Sequence, residues 1–216
     1  MVRHLRISPV SLTLLVALSG GGCQTTQATK VVSNSMPAPK PCRNAHDTYV
    51  YVVNGLDPVH LAGTPTLAAQ LRESGFPNTK SAEWRGMRQI EAEVRTISRT
   101  QPGSRFALIG YSIGAYAVRD SAKRLVCEGI PVAVVAYIGG DYLTDSPGTR
   151  LAGVGRVVNI TGKGHLLTGR DLFFNGTDIT GAANLRLENT RHFDLPLHPD
   201  TLTILLAALG SPAPGY

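Results

Sequence analysis

Apolar residues in this chain fall into two patterns, short continuous runs and stretches with helical spacing. The runs are rich in β-branched and aromatic residues, which is typical of strands buried on both faces of a parallel sheet. Between the runs, apolar residues recur every three or four positions, as in helices that cover a sheet. The alternation predicts an α/β fold, a mostly parallel twisted sheet with helices on both faces. The apolar runs predict strands over 48–53, 106–109, 130–138 and 154–160, and two shorter, more polar strands are expected at 79–84 and 185–188. The predicted helices are 65–74, 87–99, 115–126 and 201–209.

Two helices carry further detail in their sequence. Thr64 precedes Pro65 at the start of the first helix, so we expect Thr64 to be its N-cap and Pro65 its first helical residue. The second helix has a charged face opposite its apolar one. We expect that charged face to be solvated; its residues are Arg88, Glu91, Arg95 and Arg99.

The third predicted strand runs directly into Gly110-Tyr111-Ser112-Ile113-Gly114, and a helix follows. A side chain at Gly110 or Gly114 would collide with the neighbouring strand or with the departing helix, so both positions need glycine. Ser112 then lies at the apex of a tight turn, beside the free N–H groups of a helix N-terminus. This arrangement predicts an exposed, reactive hydroxyl at the end of the strand.

The pentapeptide has the G-x-S-x-G pattern and, in its strand-turn-helix context, resembles the nucleophile elbow of the α/β-hydrolase family. The resemblance extends from about Thr48 to Leu209. It implies a minimal α/β-hydrolase fold that lacks the first strands, with Ser112 as the nucleophile. It also implies an oxyanion hole formed by the backbone N–H groups of Leu56 and Ile113.

The same family keeps its catalytic histidine just before the last helix. His192 fits this place, and Phe193 and Leu195 after it can shield the ring from water. His198 lies beside Pro199, where we expect it to cap the last helix. The resemblance therefore implies that His192 is the general base.

The acid has three candidates. Asp141 follows the strand after the elbow helix, where some lipase-like members of the family place this residue. The commoner place is one strand later, where the chain offers Asp171 and Asp178 in a Gly-rich loop. We favour Asp141, because the end of a strand holds a carboxylate better than a long loop does.

These residues together predict a serine esterase or lipase-like enzyme that cleaves carboxylic ester or thioester bonds through an acyl-enzyme intermediate. The short link Tyr142–Gly153 leaves no room for a large lid, so we expect an open site for short or externally presented acyl chains. No pair of histidines has a metal-ligand spacing, so we predict no metal and no cofactor. The alternative is a non-catalytic envelope lipoprotein that uses the same scaffold as a binding module.

The N-terminus has the pattern of an export signal. Basic residues precede the apolar run 10–18, and small residues then lead to Cys23, which resembles the acylated cysteine of bacterial lipoproteins. Plain secretion after Ala17 or Ser19 is the alternative. We divide the chain into a signal over 1–22, a tether over 23–41, a hydrolase domain over 42–211 and a tail over 212–216. The protein is then expected in the bacterial cell envelope, held by lipid at Cys23, or secreted.

The two remaining cysteines are Cys42 and Cys127. The predicted elbow helix carries Cys127 back to the sheet edge where the first strand starts, a few residues after Cys42. In an oxidising compartment we expect them to form a disulfide, the alternative being two unpaired thiols.

Charge and length complete the picture. With 216 residues the chain is long enough for one domain, which we expect to be a monomer. The formal net charge is +6, but the Lys and Arg residues are scattered and form no basic stripe with aromatic residues. Nucleic acid is therefore not an expected partner. The expected partner is the small acyl ester that the predicted hydrolase would cleave.

Overall fold

The computed structural model describes residues 45–57, 59–140, 148–163 and 178–210. In this part of the chain the strands are β1 (Thr48–Asn54), β2 (Thr79–Glu83), β3 (Arg105–Tyr111), β4 (Val132–Ile138), β5 (Val154–Lys163) and β6 (Ala183–Glu188). The helices are α1 (Thr64–Glu73), α2 (Met87–Thr100), α3 (Gly114–Cys127) and α4 (Pro199–Gly210), and 3₁₀ turns cover Ala45–Asp47, Trp84–Gly86 and His192–Asp194.

The described strands form one parallel sheet in the order β2-β1-β3-β4-β5-β6. Helices α1 and α4 pack on one face of it, and α2 and α3 pack on the other. Strands β1, β3 and β4 are covered on both faces, which explains why their sequences are continuous apolar runs. The predicted α/β fold is thus confirmed.

Strand order reverses between β1 and β3. From β1 the chain passes through α1 to β2 on one side, and after β2 it crosses to β3, from which β4, β5 and β6 are added on the other side. In open parallel sheets the crevice at such a reversal, beyond the carboxyl ends of the strands, is where ligands bind. This topology directs attention to the segments that follow β1 and β3.

The expectation of a fully solvated charged face on α2 is wrong for Glu91. Its side chain is buried against α3, where it accepts hydrogen bonds from Ser121 Oγ at 2.6 Å, Arg124 Nη2 at 2.6 Å and Arg95 Nη2 at 3.1 Å. Burial raises the pKa of the Glu91 carboxyl, but the hydrogen bonds from Arg124, Ser121 and Arg95 outweigh it and hold the pKa below its usual value. Arg95 Nε also lies 2.6 Å from Glu128 Oε2, at the C-terminal end of α3. The cluster therefore joins α2 to α3.

The start of α1 also differs from the expectation. Thr64 is the first helical residue, and Gly63 precedes it in the left-handed conformation with φ of 68°. A Cβ at Gly63 would lie 2.5 Å from Leu197 Cδ1, so the loop before α1 packs directly on the segment before α4.

Cys127 is exposed at the end of α3, and within the described residues it forms no disulfide. Cys23 and Cys42 lie outside the described residues, so the lipid anchor and the disulfide stay predictions. No helix in the described ranges is long and apolar enough to span a bilayer.

Candidate active site

The elbow is built as the sequence predicts. Strand β3 ends at Tyr111, α3 begins at Gly114, and Ser112 between them has φ of 55°, in the left-handed region that side chains other than glycine rarely adopt. Its N–H donates to the carbonyl of Ile138 at 2.9 Å, and its carbonyl accepts from the N–H of Ala115 at 2.9 Å. These bonds hold Ser112 in its strained conformation at the tip of the turn.

Three glycines allow the backbone to close around Ser112. A Cβ at Gly110 would collide with the carbonyl of Gly114, and a Cβ at Gly114 would lie 2.6 Å from the carbonyl oxygen of Val53 in β1. A Cβ at Gly55 would lie 2.8 Å from Ser112 Cβ and 3.2 Å from the nitrogen of Ile113. Each position therefore has room for glycine alone.

The contact at Gly55 determines where the predicted oxyanion donors lie. The loop after β1 rests on the elbow at Gly55, so the N–H groups of Leu56 and Ile113 come from two segments that meet beside Ser112. Neither N–H donates a hydrogen bond to another residue in the described ranges. An acceptor placed beside Ser112 could therefore take a hydrogen bond from both N–H groups.

His192 lies four residues beyond β6, in the 3₁₀ turn His192–Asp194, rather than at the strand end. The side chain is buried, with its ring centroid 4.8 Å from that of Tyr111 and 5.8 Å from that of Phe193. Burial lowers the pKa of His192 to about 4, although the negative charge of Asp57 opposes the shift. The imidazole is therefore neutral at pH 7, the form in which it can accept a proton.

Ser112 and His192 each lie against the backbone at the end of β4. Ser112 donates to the carbonyl of Ile138, and the next residue, Gly139, has φ of 55° and lies against the His192 ring. A Cβ at Gly139 would be 2.8 Å from both Nδ1 and Cε1 of His192. The predicted nucleophile and base thus lie against consecutive residues, Ile138 and Gly139, at the carboxyl edge of the sheet.

Of the three candidate acids, Asp141 and Asp171 lie outside the described residues. Asp178 precedes β6 and is therefore at the amino edge of the sheet, opposite the edge that carries His192. Its side chain is 68% exposed and lies 3.6 Å from Arg186 Nη2. The structure does not bring Asp178 to His192.

Asp57, in the loop after β1, is a buried carboxylate that the sequence did not single out as a site residue. Its Oδ1 accepts from the N–H of Leu61 at 2.9 Å, and its Oδ2 accepts from the N–H of Ala62 at 2.8 Å. The Asp57 carbonyl accepts from Asn54 Nδ2 at 3.0 Å. The signal available in the sequence is the Asn-Gly-Leu-Asp-Pro string, because Asn and Asp side chains commonly fold a turn by bonding to its backbone.

Tyr111, the last residue of β3, is buried and packs its ring on that of His192. Its hydroxyl is buried and has no hydrogen-bond partner among the described residues. Burial raises the pKa of Tyr111, and the charges of Asp57 and Asp194 add to the shift, so the phenol stays protonated. His198, by contrast, caps α4 as expected, since its Nδ1 accepts from the N–H of Asp200 at 3.2 Å.

No protein-family model matches the sequence. Among curated proteins, 77 residues are 36% identical to the AP-3 complex subunit mu of Eremothecium gossypii, which is 36% of this chain and 17% of that protein. Because the match spans so little of that protein, it does not assign this chain to a family.

Several solved structures align with this chain at low sequence identity. An alpha-beta serine hydrolase homologue from Coxiella burnetii aligns with a TM-score of 0.49 and 16% identity, over 79% of this chain and 86% of that one. An a/b serine hydrolase without lid from Xanthomonas campestris gives 0.44 and 17%, over 74% and 78%. YbtT, a type II thioesterase from the yersiniabactin pathway, gives 0.49 and 12%, over 80% and 98%. Because the TM-scores of these three alignments are below 0.5, the fold is assigned from the strand order and helices of this chain itself.

Proposed function

We propose that the protein is a serine hydrolase that cleaves carboxylic ester or thioester bonds, with Ser112 as its nucleophile. One observation carries the proposal. Ser112 has φ of 55° on a strand-turn-helix corner whose neighbouring glycines leave no room for a Cβ. Such strain is retained where the surrounding structure enforces it, and it is concentrated at functional sites.

In the proposed reaction, Ser112 Oγ attacks the acyl carbonyl carbon while His192 takes the hydroxyl proton. The N–H groups of Leu56 and Ile113 bind the resulting oxyanion, an effect worth about 3 to 4 kcal/mol for a donor of this kind. Collapse of the intermediate breaks the bond to the alcohol or thiol, which receives the proton from His192. Water then attacks the acyl-enzyme while His192 accepts one of its protons. Collapse of this second intermediate breaks the bond between the acyl carbon and Ser112 Oγ, which takes the proton back from His192 as the acid is released.

The burial of His192 supports its part in this scheme. A base with its pKa near 4 is neutral throughout the physiological range, and Tyr111 and Phe193 limit its contact with bulk water. When the imidazole becomes positively charged during the reaction, that charge needs a nearby carboxylate. We propose Asp141 for this role, and Asp57 adds a second negative charge on the side of the β1 loop.

A fluorophosphonate probe tests the nucleophile. We expect one adduct, at Ser112, and turnover of p-nitrophenyl butyrate that is lost in Ser112→Ala while the far-ultraviolet circular dichroism is unchanged. Ser98→Ala, which removes a hydroxyl from α2, is the matched control and should keep both properties. A folded protein that takes no probe would favour the non-catalytic binding module, and turnover retained in Ser112→Ala would exclude Ser112 as the nucleophile.

A second set of variants tests the acid. A carboxylate that orients the base and balances its charge contributes about 10⁴ to turnover, whereas an exposed one contributes little. We therefore expect Asp141→Asn to be nearly inactive, and Asp171→Asn and Asp178→Asn to stay within about tenfold of the parent. Severe loss in Asp171→Asn with an active Asp141→Asn would move the acid to the loop after β5.

A further inference from the structure

The loop between β1 and α1 has its polar side chains bonded to the protein and its aliphatic side chains exposed. Asp57 is buried and bonded to the backbone of Leu61 and Ala62. His60 Nδ1 lies 3.3 Å from Asn54 Nδ2 and 3.7 Å from Glu83 Oε1. Leu56, Val59 and Leu61, in contrast, are 66%, 69% and 69% exposed.

A fourth exposed aliphatic residue lies beside them. Leu197, which is 40% exposed, packs against Gly63 at the end of the same loop. These four residues, which we call the apolar rim, are all of the large exposed hydrophobic residues in the described ranges. A single exposed leucine is common in proteins, but a cluster that leaves no others elsewhere marks an interaction surface.

The exposure of the rim is enforced by the fold. The two hydrogen bonds to the Asp57 carboxylate fix the backbone at Leu61 and Ala62, and the contact of Gly55 with Ser112 fixes the other end of the loop. The loop therefore cannot bury its aliphatic side chains without breaking a buried charged hydrogen-bond network. The backbone of the loop is thus held at both ends, and the rim begins one residue after the glycine that packs on Ser112.

We infer that the apolar rim docks the protein on a surface of aggregated acyl lipid, from which an acyl ester reaches Ser112. This inference rests on the proposed function and names its substrate class. The position of the rim favours a lipid surface over a protein partner, because Leu56 follows the glycine that packs on Ser112. A protein partner or a second copy seated there would block the way to Ser112, whereas a lipid surface both covers the rim and presents the substrate.

The absence of charged residues from the rim suits it to a lipid surface without net charge. None of its four residues is charged, and the nearest ionisable side chains in the loop, Asp57 and His60, are bonded to the protein itself. The predicted acylated Cys23 is joined to Ala45 by 21 residues, which can span at most about 75 Å. That length allows the carboxyl edge of the sheet to face the membrane that holds the anchor.

Flotation with phosphatidylcholine vesicles at 0.15 M salt tests the inference. All proteins are full-length and carry Cys23→Ser and Ser112→Ala, so no acyl group contributes, no lipid is hydrolysed, and the residues before Cys23 contribute equally. Val59→Ser/Leu61→Ser should lower the partition coefficient at least about tenfold, because two exposed aliphatic side chains are lost. The control Val59→Ile/Leu61→Met keeps the apolar area and should bind as the parent does.

Turnover by the same rim variants with Ser112 intact gives the second readout. Hydrolysis of monomeric p-nitrophenyl acetate should stay within about threefold of the parent in both double variants. Hydrolysis of a long-chain ester carried in the vesicles should fall about tenfold or more in the Ser variant alone. Equal vesicle binding by the two double variants, equal loss on both substrates, or a parent dimer that the Ser variant dissociates would each overturn the inference. If Ser112 is not a nucleophile, monomeric turnover is absent from all proteins while flotation still tests the rim.

Discussion

At the residue scale, the burial of His192 has a kinetic consequence. Because the ring must be neutral to accept a proton from Ser112, and burial lowers its pKa to about 4, the base should remain competent far into the acid range. We expect kcat/KM for a neutral p-nitrophenyl ester to be flat from pH 8 to about 5 and to fall to half near pH 4. A midpoint close to the ordinary histidine value of about 6.5 would contradict this.

The same shift affects stability, and its sign follows from proton binding. Between pH 6.5 and about 4 the unfolded chain binds a proton at His192 that the folded protein does not. This contribution is therefore fully present above pH 6.5 and is lost as the pH falls to 4, by about 3 kcal/mol at most. Urea unfolding at pH 7 and 4.5 should show a larger loss for the parent than for His192→Gln; equal losses would exclude the linkage.

A residue's environment could be predicted from the sequence only where its contacts come from residues close to it along the chain. The role proposed for Ser112 could be inferred from five consecutive residues, because the strand, turn and helix that set its geometry are adjacent in sequence. The burial of Glu91 could not, since Ser121 and Arg124 come from another helix. Asp57 is similar, because its burial depends on how the loop closes over the elbow at Gly55.

At the element scale, the contact between the β1 loop and the elbow can be tested by adding one methyl group. Gly55→Ala places a Cβ 2.8 Å from both Ser112 Cβ and the carbonyl oxygen of Tyr111, so the loop must move away from the elbow. A displacement of this size beside a reacting group costs about 10²-fold in turnover. Gly148→Ala is the matched control, since a Cβ there meets nothing within 4 Å and the position has no positive φ. Similar kinetics for the two variants would show that the contact does not position the site.

The elements themselves were largely predictable, but their ends were not. Apolar runs gave the central strands β1, β3, β4 and β5, because residues buried on both faces leave a clear pattern, whereas β2 and β6 are more polar and more exposed. Strand β5 continues to Lys163 through polar residues, since pairing with β6 satisfies its backbone to that point. The start of α1 was displaced for a related reason, because Leu197 packs against Gly63. Pairing and packing partners distant in sequence thus decide the boundaries.

At the scale of the whole molecule, the predicted disulfide between Cys42 and Cys127 would tie the start of β1 to the end of α3. Cys127 is exposed at the amino edge of the sheet, where β1 begins six residues after Cys42. Closing the 84 intervening residues is worth about 4 to 5 kcal/mol by the chain-entropy model. Non-reducing peptide mapping of protein isolated from the cell envelope should find the linked peptides, and alkylation of both thiols would refute the pairing.

The left-handed backbone at Ser112 sets a conflict between durability and turnover. A glycine there would relieve the strain at φ of 55°, by about 1 kcal/mol, and would lose the hydroxyl that the proposed reaction needs. Laboratory evolution that rewards heat resistance alone should therefore select Ser112→Gly, whereas evolution that also rewards ester cleavage should keep the serine and gain stability elsewhere in the fold.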